Sequence, residues 1–342
     1  MNVHSQVLEW VLFFYRQINY SDPTINNRCL SLFNEKVMVT GAAGFIGSNI
    51  SMRLINEGYS VVGIDNFITG DKKNIVELLK EEEFTFSEGD INDIEMLREK
   101  MEEVSYVLHQ AAIPSVPRSI ADPLASNRAN IDGTLSVLAA ARDCEVEKLV
   151  FASSSAVYGK SEDLPIKETS IPNPLSPYAL NKLTGEIYCR LFYELYGLKT
   201  TSLRYFNVFG PRQNPSSDYA AVIPKFISSI ANDEAPVIYG DGTQIRDFVY
   251  VEDVVTANIR AMKSGAVGEY NIASGRRTSI VELAEQINEI LGKEIQPRFD
   301  SPREGDIKYS LADISKAKET FGYCPRFSLE EGLKRTAEWF SR

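Results

Sequence analysis

In "LSPYALNK", Leu175 to Lys182, a tyrosine stands four residues ahead of a lysine, just past a pair of prolines. Residues i and i+4 share one face of a helix, so a helix here would set the Tyr178 phenol beside the Lys182 ammonium. A phenol with a pKa near 10 is a poor base at neutral pH, but a neighbouring cation favours its ionised form. At about 4 Å and an effective dielectric near 20, a unit charge is worth roughly 4 kcal/mol, or about three pKa units. That predicts a tyrosine brought near neutrality, able to take a proton from an alcohol and return it. The same spacing occurs on many exposed helices that do no chemistry, so the surrounding elements must decide.

"TGAAGFIG", Thr40 to Gly47, follows a short β-branched run, "KVMVTG", and opens a helical pattern, "FIGSNISMRLINEG", closed by Gly58. The three glycines have separate tasks: Gly41 permits the tight turn, Gly44 lets backbone approach a pyrophosphate, and Gly47 allows close helix–sheet packing. The helix N-terminus then faces the phosphates. Asp65 ends a second strand, "SVVGIDN"; a carboxylate there accepts hydrogen bonds from a ribose and repels a 2′-phosphate, which favours NAD over NADP.

The alternation continues through "TFSEGDI", "YVLHQAA", "KLVFASSS" and "KTTSLRYFNVFG", with helical segments between. Strands alternating with helices imply an α/β fold with a Rossmann-type, doubly wound parallel sheet. After about residue 211 the pattern loosens through "PVIYGDG" and "RDFVYVEDVV" to a helix over "SIVELAEQINEILG". We therefore expect an N-terminal extension (1–35), an NAD-binding domain (36–210) and a smaller α/β substrate lobe (mainly 211–342) interleaved with it.

Thirty-six basic against 47 acidic side chains, a net charge of -11, argue against broad nucleic-acid or anionic-membrane binding. Cys29, Cys144, Cys189 and Cys324 lie far apart with no CxxC pair, which suggests neither a disulfide framework nor a zinc site and fits a reducing cytoplasm. With only His4 and His109, a histidine-rich metal site or a Ser-His-Asp machine has almost no material. "VLEWVLFFY" near the start is about half of what a bilayer requires and reads as an amphipathic helix or as an upstream start.

The GxxGxxG spacing together with YxxxK resembles the extended short-chain dehydrogenase/reductase family. The resemblance covers residues 36–340 and continues in "GDI" (89–91), "HQAA" (109–112), "NIDGT" (130–134), "SSSAVYG" (153–159) and "LRYFNVFGP" (203–211). It implies that Gly41, Gly44, Phe45, Ile46 and Gly47, then Asp65, Asn66, Phe67, Thr69 and Gly70, surround the cofactor. Asp90 and Ile91 would lie at the adenine, Gln110, Ala111 and Ala112 would line the cofactor, Asn130 would support the site, and Tyr205 would sit near the nicotinamide. His109, at a strand end beside the cofactor, is expected to be structural.

By the same resemblance Tyr178 is the acid/base of a hydride-transfer enzyme, while Lys182 holds the nicotinamide ribose and lowers the phenol pKa. Counting four residues back from Tyr158 selects Ser154 to complete the proton path, with Ser153 and Ser155 adjoining it. Relatives that dehydrate nucleotide sugars carry an Asp-Glu pair directly after that hydroxyl; here Ser155 and Ala156 follow, so the elimination machinery is missing. The chain most resembles the UDP-sugar 4-epimerases, in which a tyrosine removes the 4-hydroxyl proton as hydride passes to NAD. The 4-keto sugar then turns over and hydride returns to its other face. NAD stays bound throughout.

The substrate residues implied are Ser115, Arg118, Ser154, Ser155, Tyr178, Asn207, Ala221, Val222, Lys225, Tyr239, Arg246, Arg303, Asp306 and Ser310, with Arg246 and Arg303 on the diphosphate because a guanidinium binds phosphate oxygens bidentately. A tyrosine in place of Ser310 would crowd the sugar 2-position, whereas a small residue leaves room for an N-acetyl group; Tyr309 next door leaves the register open. The leading expectation is a UDP-N-acetylglucosamine/UDP-N-acetylgalactosamine 4-epimerase. A 4-epimerase for UDP-glucose or a UDP-hexuronic acid comes second, and a catalytically silent NAD-binding regulator third. The resemblance also implies a homodimer through helices near 123–143 and 178–197, and no membrane insertion.

Overall fold

The chemistry-bearing ends of five strands meet along one edge of a seven-stranded parallel sheet. The structure, a computed structural model, describes residues 35–161, 163–215, 221–302 and 307–341. The strands are β1 (Lys36–Thr40), β2 (Ser60–Asp65), β3 (Phe84–Glu88), β4 (Val104–His109), β5 (Lys148–Ser154) and β6 (Lys199–Tyr205). Short strands β7 (Asn207–Phe209), β8 (Val237–Tyr239), β9 (Ile245–Arg246) and β10 (Phe248–Tyr250) precede β11 (Gly268–Ile272), which returns to the large sheet. The order is β11-β6-β5-β4-β1-β2-β3. The chain reverses direction across the sheet between β1 and β4, the topological switch point at which open α/β sheets bind ligands.

Register aligns the site-bearing residues. Thr40 pairs with His109, and Ser154 with Tyr205, so the carboxyl ends of these strands lie level. Alternate side chains on the strands build two cores. Val37, Val39, Leu108, Val150 and Leu203 pack against the helices Phe45–Asn56 and Val251–Lys263. Met38, Ile64, Val107, Leu149 and Phe151 pack on the other face against the helices Ile94–Lys100, Gly133–Asp143 and Pro177–Tyr196.

The helix Pro177–Tyr196 starts where its chemistry dictates: Ser176 caps the Ala179 N–H at 3.2 Å, Pro177 takes the first turn, and Gly197 closes it in a left-handed conformation (φ 76°). A Cβ on Gly185 would stand 2.5 Å from the Phe151 ring, so glycine lets this helix lie directly on β5. Tyr178 and Lys182, in its first two turns, are thereby held against the ends of β4 and β5.

Outside the large sheet, β7 pairs with β10, β8 with β13 (Arg298–Asp300) and β9 with β12 (Thr278–Ser279), and Lys36–Arg342 forms one compact unit. The helix Ile280–Leu291 has a capping box formed by Ser279 and Glu282 and ends at Gly292. Because β11 and the helix Val251–Lys263 belong to the large sheet, the C-terminal third of the chain is shared between the two layers. The segment "VLEWVLFFY" lies outside the described residues. Among these, no helix is long and apolar enough to cross a membrane.

Candidate active site

The turn after β1 is built for close approach. Gly41 has φ 72°, and a Cβ on Gly47 would stand 2.1 Å from the Gly41 carbonyl oxygen, so neither position has room for a side chain. Gly44 is the N-cap of the helix Phe45–Asn56 and offers no side-chain cap, which leaves the first amides of this helix to an anion. Asp65 faces the turn from β2: its carboxylate accepts from the Ala43 N–H at 3.0 Å and the Phe67 N–H at 2.8 Å. Burial pushes this carboxyl above its usual range, and those backbone hydrogen bonds act against the shift. Gly70 closes over it, because a Cβ there would meet Asp65 Oδ1 at 2.7 Å.

The rest of the expected cofactor wall converges on the same edge. Asn66 donates to Asp90 at 3.1 Å and Thr69 to the Ala112 carbonyl at 3.4 Å, so the loop after β2 is tied to the loops after β3 and β4. Ile91 is buried, within reach of where a Gly133 side chain would be. Tyr205 donates to Asn258 at 3.0 Å and lies 3.2 Å from Gln110 Oε1, and Gln110 itself donates to Asn258 at 3.1 Å. Glycines without room for Cβ, uncapped helix amides and a buried carboxylate at the second strand end suit a dinucleotide.

Ser154 shares a hydrogen bond with the Tyr178 phenol. Lys182 donates from Nζ to the Ala152 carbonyl at 2.7 Å and stands 6.0 Å from the centre of the Tyr178 ring. Ser153, by contrast, points to the opposite face and donates to Glu186 at 2.5 Å, while Ser155 opens a short 3-10 turn. Of the three adjoining serines, Ser154 is therefore the one beside the tyrosine.

The electrostatics differ from the expectation drawn from spacing. Burial pushes the Tyr178 phenol up to about 12, opposed only by the Ser154 hydrogen bond. Lys182 is itself desolvated and falls to about 8. A lysine four residues on does not by itself bring the phenol near neutrality, because burial penalises the phenolate and only the Ser154 hydrogen bond works against it.

Neighbouring segments hold the helix Pro177–Tyr196 by hydrogen bonds that spacing did not reveal. The Tyr178 N–H donates to Ser119 Oγ at 3.1 Å, and Asn181 donates to Ser126 at 3.0 Å. Asn130 lies in a π-helical turn, accepts from the Ile113 N–H at 2.8 Å and donates to Ser126 at 3.3 Å. The Thr134 hydroxyl donates to the Asn130 carbonyl at 2.7 Å, which leaves its oxygen to accept from His109 Nε2 at 3.0 Å. His109 Nδ1 then accepts from the Thr40 hydroxyl at 2.7 Å. Burial and the Lys182 charge hold His109 at about 3, so it remains a neutral strut between β1 and the helix that follows Asn130.

Beyond the strand ends, a cavity of about 420 Å³ is walled in part by Asn207, Val222, Lys225, Tyr239 and Arg246, all expected substrate residues. Ala221 is the N-cap of the adjoining helix Val222–Ala231. Ser115 caps the helix Val116–Ala121, on which Arg118 sits. These two, with Ser154, Ser155, Tyr178 and Ser310, lie outside the cavity wall. Ser310 is buried, at 9% exposure, and Tyr309 is turned outward at 42%. Arg303 and Asp306 lie outside the described residues. Sequence reasoning missed Gln244, which is also in the wall; it lies between the expected Tyr239 and Arg246, but nothing in its type marked it out.

A family model described as the NAD dependent epimerase/dehydratase family matches residues 37–273. A putative UDP-glucose 4-epimerase of Methanocaldococcus jannaschii is 42% identical over 308 residues, spanning 89% of this chain and 97% of that one. The structure of a UDP-N-acetylglucosamine 4-epimerase from Methanobrevibacter ruminantium M1, in complex with UDP-N-acetylmuramic acid, is similar with a TM-score of 0.87 and 44% identity, covering 90% of this chain and 98% of that one. The UDP-glucose 4-epimerase of Thermotoga maritima with UDP-glucose gives 0.86 and 40%, over 90% and 98%. With the phosphate turn, Asp65 and the Ser154–Tyr178–Lys182 group in one edge of the sheet, the chain belongs to the NAD-dependent epimerase/dehydratase family.

Proposed function

We propose that the protein is a UDP-sugar 4-epimerase that interconverts UDP-N-acetylglucosamine and UDP-N-acetylgalactosamine. Bound NAD supplies a hydride acceptor at C4 and a hydride donor to the resulting 4-keto sugar. Tyr178 takes the 4-hydroxyl proton and later returns it, Ser154 bridges phenol and hydroxyl, and Lys182 contributes positive charge beside them. Ser155 and Ala156 offer no acid–base pair for removing water, which favours epimerisation over dehydration. Asn207, Lys225 and Arg246 bring one amide and two cationic side chains to a single cavity, a set suited to a diphosphate.

The acetylated sugar rests on one observation: Ser310 is buried and Tyr309 exposed, so of the two candidate gatekeepers the small hydroxyl side chain is the one turned into the protein. Incubating the purified protein, without added NAD, with UDP-N-acetylglucosamine, UDP-glucose and UDP-glucuronic acid tests this through the anomeric proton NMR signals. The acetylated sugar is expected to convert fastest. Faster conversion of either of the others would replace the substrate, and no conversion after NAD is supplied would point to a silent NAD-binding protein. Ser310→Tyr is expected to lower kcat/KM for the acetylated sugar at least tenfold while sparing UDP-glucose, since an overpacked pocket costs roughly 1–3 kcal/mol. Equal losses on both sugars would sink the gatekeeper role.

We also propose a homodimer. Leu180, Ile187, Leu191 and Leu195 form a stripe on the helix Pro177–Tyr196 with exposures of 52, 41, 37 and 67%, and Leu124 nearby is 81% exposed. Such a stripe is characteristic of a buried face. Light scattering is expected to give twice the 38.3 kDa chain mass; a monomer at micromolar concentration would exclude it.

A further inference from the structure

Among the described residues, the buried side-chain atoms that no protein group satisfies are Gln213 Oε1 and Gln244 Oε1. Gln244 lies in the wall of the cavity that holds Asn207, Lys225 and Arg246; Gln213 does not. The orientation of the Gln244 amide is determined by its neighbour. Nε2 donates to the Tyr239 carbonyl at 2.5 Å, and the reversed amide would set two oxygens against each other. Oε1 is therefore the atom left over, and a buried acceptor without a donor is costly enough to need a reason.

The residue stands on well-held backbone. Thr243 before it is anchored by its N–H and hydroxyl to Asp241, at 2.9 and 2.7 Å. Ile245 and Arg246 after it pair with Ser279 and Thr278, and Ile245 is bridged to Tyr309. The side chain is thus held in the cavity wall before anything enters the cavity. A carbonyl oxygen repels phosphate oxygens, so the diphosphate belongs with Lys225 and Arg246. The complementary parts of a uridine nucleotide are its own donors, the ribose hydroxyls and the uracil N3–H.

We propose that Gln244 is a nucleoside-specificity residue whose Oε1 accepts a hydrogen bond from an O–H or N–H donor of the bound uridine. This rests on the nucleotide-sugar reading of the cavity. The test is a calorimetric titration of the NAD-loaded protein and its Gln244→Met variant with UDP, 2′-deoxy-UDP and N3-methyl-UDP. The wild type is expected to bind UDP better than one of the two analogues by roughly three- to tenfold, the worth of one hydrogen bond. Gln244→Met is expected to bind UDP more weakly by a similar factor, to lose preference over that analogue alone, and to retain its NAD. The analogue that discriminates identifies ribose or base as the donor.

Equal binding of all three ligands by the wild type would overturn the assignment, whatever the variant does. So would a folded, NAD-retaining variant with the wild-type preference intact. Failure of the wild type to bind UDP at all would overturn the nucleotide-sugar reading itself, and Gln244's role with it.

Discussion

Tyr178→Phe is expected to keep NAD bound and to lower turnover by about 10²- to 10⁴-fold, the usual worth of a positioned acid–base group. The substitution leaves the ring in the first turn of the helix Pro177–Tyr196 and removes only the hydroxyl shared with Ser154. The pH dependence carries the sign of the argument. Burial holds the phenol at about 12 in the protein alone, so at neutral pH it is protonated and has to be ionised before it can take the 4-hydroxyl proton. A positive nicotinamide ring nearby favours the phenolate, so loading the oxidised cofactor is expected to shift the phenol downward. Turnover should then rise with pH until the phenol of the loaded enzyme is ionised, and residual turnover of the phenylalanine variant should lack that rise. Near-normal rates in the variant, or the same pH-dependent rise, would remove Tyr178 from the proton path.

Arg204→Met is expected to destabilise the protein by roughly 3–5 kcal/mol, because breaking a buried ion pair leaves an uncompensated charge. Arg204 and Glu186 are 4 and 2% exposed and bond through two contacts, Nε to Oε1 at 2.9 Å and Nη2 to Oε2 at 2.7 Å. Arg204 also donates to Tyr158 at 2.8 Å, and Tyr158 to Asn271 at 2.6 Å, which joins β6 to β11. In a unit of this size the loss corresponds to a melting temperature lower by roughly 5–8 °C. Replacing both partners, Arg204→Met with Glu186→Leu, should recover much of it, since a hydrophobic pair of similar volume needs no desolvation. A single variant that melts with the wild type would mean that Glu186 finds another partner. Glu186 lies one turn beyond Lys182 and accepts from Ser153, next to Ser154. The ion pair therefore bears on both the stability and the alignment of the site.

The elements were legible because each carried its own local signal. Alternation of β-branched runs with helical periodicity implied the parallel sheet, the apolar periodicity of "SIVELAEQINEILG" marked one helix, and the glycine spacing marked the phosphate turn. Those signals depend on interactions within a few residues, which one sequence records directly.

The site was legible in its residue types and less so in its energetics. Spacing alone brought Tyr178 and Lys182 to one face but gave the wrong direction for the phenol, because desolvation depends on all that surrounds the ring and not on the residue four positions on. Which serine meets the tyrosine was open in the sequence. It was decided by strand pleating, which turns Ser153 to Glu186 and leaves Ser154 at the strand end. Burial likewise separates Ser310 from the exposed Tyr309.

What the sequence by itself determined is the set of local devices: a dinucleotide turn, an acidic strand end, a Tyr–Lys helix face and the absence of an elimination pair. Only the tertiary structure decided the partners of His109, Glu186 and Arg204. Those partners lie on other segments: Thr40, for example, is 69 residues from His109, and Glu186 is 18 from Arg204. Hydrogen bonds across such separations exist only after the sheet has set its register, so no local pattern in the chain can announce them.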